Sequence, residues 1–469
     1  MNIKIKLADN YLLSSLAIVV IILVVFFNIN NKSSQTDNVY DTAQRLIYKQ
    51  DYFESQGMYE NILRKNAQDM TSYLKIAEIQ TLRGNFQLAI DYLLKNSEKF
   101  ENKLPFYSQI TYNYYLIREY EQVLIYGEET LNFSFNDSFV QNLVVKSYVV
   151  LGRYKQAYDF ISKYNENDLS EKNLFYKIVL GIYLGESKNT SVILFNDSLI
   201  NNLYLKIENC LPDYQNITTK IFGSINITYE LLEANYFELA LPFTDEIIAL
   251  NKYFAVGYYY KGFILLNIGE YSKAENLLTS ALEMKNDSTD FAVLLIASQI
   301  AQNKSESVDI SLLQLDKYIS ETDNYKLSEL LKLSNAYKKS DYGLKIFKRY
   351  EPFLRDDLVS IYLAVKFEAL NKYYNNLLDD INKILSEVYY LNDQQKAVLY
   401  GIKGFVLFTN SNMKAGEDLV KQGLILDKHS YFCYYYLAQI NLLQNNQNGY
   451  NQNIANAKKY DYNNEFEYE

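Results

Sequence analysis

The chain has 469 residues, a formal net charge of −10, four prolines, 16 glycines, two cysteines and a single histidine. An acidic balance lacks the basic stripe that phosphate binding needs. The cysteines show no CxxC or metal-ligand spacing, and the scarcity of proline and glycine suits a helical chain. There are 47 tyrosines and 25 phenylalanines but no tryptophan, and Asn, Lys and Ile are abundant, so part of the tyrosine excess is compositional.

Residues 1–10, MNIKIKLADN, form a short tail carrying Lys4 and Lys6. No charge then appears from Asn10 to Asn31, and the apolar run begins YLLSSLAIVVIILVVFF. A stretch of this length without a polar face is expected to be a transmembrane helix, residues 11–29. A cleaved signal peptide is the alternative, but its apolar region is shorter and ends at small residues. Here the run ends in Phe26, Phe27, Asn28, Ile29 and Asn30, which favours an uncleaved signal anchor. Residues 30–35 read as a polar linker.

From residue 36 a single pattern recurs. In MTSYLKIAEIQTLRGNFQLAIDYLLKNSEKFENK, Met70 to Lys103, Tyr73, Ile76, Ala77 and Gln80 share one face of a first helix. Gly84 permits a reversal, and Phe86 opens a second helix with Ala89, Ile90 and Leu93 at helical spacing. The opening aromatic recurs as Tyr52, Phe86, Tyr120 and Tyr154, at intervals of 34 residues, and again as Phe237 and Tyr271. Nine residues before each lies Ala43, Ala77, Thr111, Val145, Thr228 or Gly262. Three residues after each lies Ser55, Ala89, Val123, Ala157, Ala240 or Ala274. Most of these side chains are small, which lets the two helices of a hairpin approach closely. Two short helices cannot bury these faces alone, so neighbouring units must stack.

This pattern resembles the tetratricopeptide repeat, a helix–turn–helix of 34 residues; the cleanest copies are LGRYKQAYDFISKY and IGEYSKAENLLTSAL. The resemblance implies an all-α solenoid of about 24 helices in a right-handed superhelix, preceded by the transmembrane helix and built from about twelve units. Residues 36–171 hold four regular units, 172–220 a degenerate repeat plus an insertion at 206–220, and 221–288 two regular units. Residues 289–356 read as degenerate helical repeats. Residues 357–464 hold three more, with a six-residue insertion at 391–396, LNDQQK, and an atypical capping repeat at the end. The acidic tail 465–469, FEYE preceded by Glu465, is expected to fray.

No constellation for chemistry emerges. His429 stands alone in LDKHSYF, and there is no Gly-rich phosphate loop. The acidic pairs Asp356–Asp357 and Asp379–Asp380 read as helix starts or solvated faces. Cys210 and Cys433 read as small buried hydrophobes rather than a disulfide. Neither a catalytic residue, a metal nor a cofactor is expected.

What remains is surface. The resemblance places the second, fifth, ninth, twelfth and thirteenth residues of each unit on a concave groove. These include Tyr112, Tyr115, Lys146, Tyr229, Tyr259 and Phe263. Aromatics lining a groove suit an extended peptide or a partner helix. The carboxylate clamp of chaperone cofactors is missing, since its lysine and asparagine places hold Leu74 and Glu78 in one unit and Ser108 and Tyr112 in the next.

The resulting expectation is a non-enzymatic, membrane-anchored scaffold that binds a protein or peptide, similar to bacterial anchored repeat proteins beside envelope-assembly or secretion machinery. A structural subunit of a larger membrane complex, and an enzyme with its site in the degenerate repeats, are the alternatives. Lys4 and Lys6 precede the anchor, whereas Lys32, Asp37 and Asp41 follow it before Arg45. The bias places the N-terminus in the cytoplasm and the repeats outside it, with a tethered cytoplasmic solenoid as the alternative.

Overall fold

Phe86 opens a helix because the backbone reverses just before it, and the same reversal is repeated along the chain. A computed structural model describes residues 36–186 and 195–469, apart from 376, 388–390, 411, 463–464, 467 and 469. Two compact units divide them, residues 32–298 and 299–469. Among the described residues there are 25 α-helices and no strand.

The first unit begins with four regular hairpins: α1 (Thr36–Tyr48) and α2 (Tyr52–Lys65), α3 (Met70–Leu82) and α4 (Phe86–Ser97), α5 (Leu104–Leu116) and α6 (Tyr120–Phe133), α7 (Ser138–Val150) and α8 (Tyr154–Ile161). Helix α9 (Glu171–Leu184) opens the fifth unit. Its partner is α10 (Ser198–Gln215), an unbroken helix of 18 residues that holds Pro212 inside it. The expected insertion at 206–220 is therefore mostly an extension of that helix. Regular hairpins resume with α11 (Lys220–Glu233) and α12 (Phe237–Leu250), then α13 (Ala255–Asn267) and α14 (Tyr271–Met284). Helix α15 (Thr289–Ala301) follows.

In the second unit α16 (Ser305–Leu315) leads to α17 (Asn324–Ala336), α18 (Ser340–Arg349), the single turn α19 (Glu351–Leu354), α20 (Leu358–Leu370) and α21 (Leu377–Ser386). It ends in the pairs α22 (Asp393–Thr409) and α23 (Met413–Leu426), α24 (Tyr431–Leu443) and α25 (Gln447–Tyr460). Much of the expected insertion at 391–396 is the first turn of α22. Asn392 accepts from the Gln395 N–H, and the Gln395 side chain accepts from the Asn392 N–H, which starts the helix early.

The register of the hairpins follows the small residues. Ala77 and Ala89, Thr111 and Val123, Val145 and Ala157, and Thr228 and Ala240 are all fully buried. Ser55 Oγ donates to the Ala43 carbonyl at 2.8 Å, which measures how close the two helices run. Around these contacts Ile79, Ile90 and Leu93 are fully buried too. Each such aliphatic side chain contributes about 1.5–3 kcal/mol on leaving water.

The turns repeat as strictly. Gln50, Gly84, Arg118 and Gly152 have positive φ, as do Asn235, Gly269 and Asn303. Within each of these runs the spacing is 34 residues. Lys338 and Lys372 take the same conformation; Asn303 and Lys338 fall within 289–356, so regular hairpin turns continue through the region read as degenerate. Gly269 is the turn with least room. A Cβ there would overlap the Arg118 guanidinium, which donates from Nε to the Ile268 carbonyl at 2.9 Å.

The first helices of hairpins are tied to one another by N-caps. Asp137 accepts from the Val140 N–H at 3.1 Å and from Ser108 Oγ of the preceding first helix at 3.0 Å. Asp357 does the same with Ser360 N–H and Ser328 Oγ. Such a cap satisfies an orphan donor and stabilises a helix by about 1 kcal/mol.

Within the tail expected to fray, Phe466 is docked. Phe466 is 6% exposed within a core cluster that includes Phe432, Tyr435 and Tyr436. No helix among the described residues is long and apolar enough to cross a membrane, and the expected anchor at residues 11–29 lies outside them.

Candidate functional site

The six groove candidates all sit on first helices in the unit spanning residues 32–298, at α5, α7, α11 and α13. Their surroundings differ. Phe263 is 7% exposed and packs edge-on against Phe237, so it belongs to the core. Tyr112, Tyr229 and Tyr259 are half-buried. Tyr112 packs on Phe139 of the next unit at 5.5 Å, and Tyr259 stacks on Phe291 at 4.8 Å. Burial raises the pKa of Tyr112.

Tyr115 and Lys146 converge on the chain's own α12. Glu238 of that helix accepts from Tyr115 Oη at 2.6 Å and from Lys146 Nζ at 2.7 Å. The Lys146 ammonium also lies 5.7 Å from the centre of the Tyr115 ring. Burial raises the Glu238 pKa, and the Lys146 charge with hydrogen bonds from Lys146 and Tyr115 more than offsets it, leaving the carboxyl below its ordinary value. Burial and the same carboxylate hold Tyr115 and Tyr176 protonated, far above the usual phenol range.

Lys172, on α9, is the exception within this cluster. Burial and the neighbouring Lys146 ammonium, opposed by Glu238, bring its pKa down to about 8. Next to it, Asn173 donates to the Ser138 carbonyl at 2.8 Å and to Gln141 Oε1 at 3.1 Å, and accepts from Asn142 at 3.0 Å. These amides lock α7 to α9.

Two turns further along α12, Asp245 accepts from both Tyr154 Oη and Lys261 Nζ. It lines a cleft of about 380 Å³ together with Leu241, Leu265, Lys273 and Asn276. The inner faces of α5 and α7 are thus held against α12, by contacts between residues 92 and 123 apart in sequence. Nothing in the local periodicity signals Glu238, since the residue after the opening aromatic varies freely from repeat to repeat (Phe53, Gln87, Glu121, Lys155).

The remaining sequence candidates have structural surroundings. The His429 ring packs on Tyr460 at 4.7 Å. Asp357 caps α20, and Asp380 pairs with Arg355 at 2.8 Å. Cys433 is buried and Cys210 half-buried; both are free thiols. Among the described residues no group of three His, Cys, Asp or Glu side chains is placed to hold a metal.

No protein-family model and no curated protein matches the chain. Solved structures similar to it include the APC/C hetero-tetramer Cut9–Hcn1, with 11% identity, 92% of this chain and 94% of that one covered, and a TM-score of 0.35. Yeast Tom70 gives 13%, 82% and 91%, with a TM-score of 0.32. A tetratricopeptide repeat protein from Parabacteroides merdae gives 12%, 64% and 99%, with a TM-score of 0.30. The repeat assignment stands on this chain's own register of turns and small-residue contacts.

Proposed function

We propose that the chain is a non-enzymatic protein-interaction scaffold, fixed to the membrane by residues 11–29. The observation that carries the reading is the set of first-helix rings left partly outside the core. Tyr112, Tyr229 and Tyr259 are half-buried, each on a rigid helix of a different hairpin. Rings held this way offer a large contact area at low entropic cost. Tyr115 and Lys146 serve a different role in this reading, tying α5 and α7 to Glu238 of α12.

The anchor rests on the uncharged run from Asn10 to Asn31, and its orientation on Lys4 and Lys6 before it. The repeats then lie outside the cytoplasm, where a scaffold beside envelope-assembly or secretion machinery would work. The test is capture of partners by the intact anchored protein beside a Tyr112→Ala/Tyr229→Ala/Tyr259→Ala variant. A protein recovered with the parent and lost with the variant is expected. Identical recovery from both, with both folded, would contradict the groove as the binding surface.

A specific observation favours a second reading, a structural subunit of a larger complex. Ile217, Leu199 and Ile425 are 87%, 79% and 83% exposed, and lie off the groove positions. Ile217→Asp and Leu199→Asp would break assembly under this reading and leave groove binding intact under the first.

A further inference from the structure

In the unit spanning residues 299–469, the last described residues lie on the first helices as a bound peptide would. Asp461 is 2% exposed and turns the chain back, accepting from the N–H groups of Glu465 and Phe466 at 3.0 Å each and from Tyr468 Oη at 2.9 Å. Phe466 then stacks face to face on Tyr435 of α24, with ring centres 3.9 Å apart, and meets Phe432 edge-on at 4.8 Å. Glu465 reaches another first helix, pairing with Lys366 of α20 at 2.9 Å. Lys366 also donates to Asn335 of α17 at 3.0 Å. A small cleft lined by Asn335, Lys338, Ser340 and Phe367 runs alongside Glu465.

These contacts have the parts of a peptide-recognition site. An aromatic slot takes one ring, and a cation nine-tenths buried takes one carboxylate. The occupant is held to the scaffold by a side chain and a ring rather than by continuation of a helix. The backbone N–H groups of Glu465 and Phe466 go to the Asp461 side chain of the same segment rather than to the first helices. A tethered segment of this kind acts as a local competitor, with an effective concentration in the millimolar range for a short link.

We propose that this seam is a peptide-binding site occupied in cis by the chain's own Glu465-Phe466-x-Tyr468 segment, and that its trans ligand is a partner segment of the same chemistry, a glutamate followed directly by an aromatic. The proposal deepens the scaffold reading and rests on it by naming a partner class for one seam. Lys366 sets the requirement for the acid and Tyr435 the requirement for the ring. Occupancy in cis lowers the apparent affinity for a partner by the fraction of time that the seam is free.

The probe is a labelled peptide, Asn-Asn-Glu-Phe-Glu-Tyr-Glu, added to the full chain in detergent micelles and read by fluorescence anisotropy. The Phe466→Ala chain, whose own segment lacks its ring, should bind at least about tenfold more tightly than the parent. Adding Lys366→Glu to that chain should abolish binding of this peptide and restore binding of one with Lys in place of its first Glu. If Phe466→Ala is not folded by circular dichroism, Glu465→Lys, which keeps the ring, takes its place and should bind the peptide at least about tenfold more tightly than the parent, while adding Lys366→Glu to it should re-form the pair in cis and lose that gain. Equal binding to parent and variant, or none to either folded variant, would overturn the proposal. So would dimerisation of the parent through exchanged segments with no peptide bound. The capture experiment on the tyrosine groove would stand or fall separately, because Tyr112, Tyr229 and Tyr259 take no part in this seam.

Discussion

Lys146 on α7 and Glu238 on α12 form an ion pair at 2.7 Å, across 92 residues of sequence, with side chains only 17% and 7% exposed. The pair joins a first helix of the fourth hairpin to a second helix that begins two hairpins later. Nearest-neighbour stacking explains most of a solenoid, but this contact joins helices two hairpins apart.

Removing one partner leaves the other charge buried and uncompensated. Lys146→Met should therefore destabilise the protein by about 3 kcal/mol, whereas Lys146→Met with Glu238→Leu should recover much of the loss. Acid should act on the same pair. The folded carboxyl titrates below its ordinary 4.5, so its contribution is fully present above that value and is lost as pH falls through the lower folded pKa. Thermal melts at a series of pH values from 6 downward should show the parent losing stability that Glu238→Gln does not lose over the same window.

Lys172 works in the opposite sense. Its ammonium is held at a pKa of about 8 against an ordinary 10.5, so the unfolded chain binds the proton more tightly. Stability contributed by this group rises as pH goes from about 8 toward 10.5, and the charged lysine is a net cost at neutral pH. Lys172→Met should raise stability at pH 7 by roughly 1–3 kcal/mol and flatten the rise between pH 8 and pH 10. Denaturant titrations at these values check both parts. An unchanged midpoint at pH 7 would mean that the ammonium is not strained by its surroundings.

Hairpin register makes a packing prediction. Ala157 and Ala274 are fully buried where their hairpin helices touch. A Cβ added at Gly404 would lie 2.6 Å from the Gly416 carbonyl, showing the same closeness in α22 and α23. Ala157→Trp, Ala274→Trp and Gly404→Val should each cost about 3 kcal/mol, because overpacked cores force backbone shifts. Melting temperatures equal to the parent's would show that the register is misplaced.

The sequence made this register legible because its chemistry is local. An aromatic at the start of the second helix and a small residue on each helix recur at fixed spacing, and Ala43, Ala77, Thr111 and Val145 are all buried as expected. The turns were harder to read. Arg118, Lys338 and Lys372 take positive φ without being glycine, because the hairpins on either side impose the reversal. Glu238 and Phe466 were not legible at all. The partners of Glu238 lie far away in sequence, and Phe466 stands in a tail whose composition reads as solvated; no periodicity encodes such contacts. Phe263 marks the limit of transferring groove positions by count, since its place in the repeat reads as groove while its surroundings make it core.

Topology is testable without knowing a partner. The proposed orientation places the repeats outside the cytoplasm. Protease added to spheroplasts should digest the repeats and spare a cytoplasmic control protein. Protection with intact membranes, and digestion only after lysis, would reverse the orientation.

The central claim is that first-helix tyrosines form the surface that a partner protein meets. The most direct measurement is photo-crosslinking in intact cells from a benzophenone side chain placed at Tyr112, Tyr229 or Tyr259, with the exposed position Glu283 on α14 as control. The account predicts the same protein adduct from at least two of the tyrosine positions and none from Glu283. Adducts from Glu283 equal to those from the tyrosines, or no adduct from any tyrosine position in the folded protein, would contradict it.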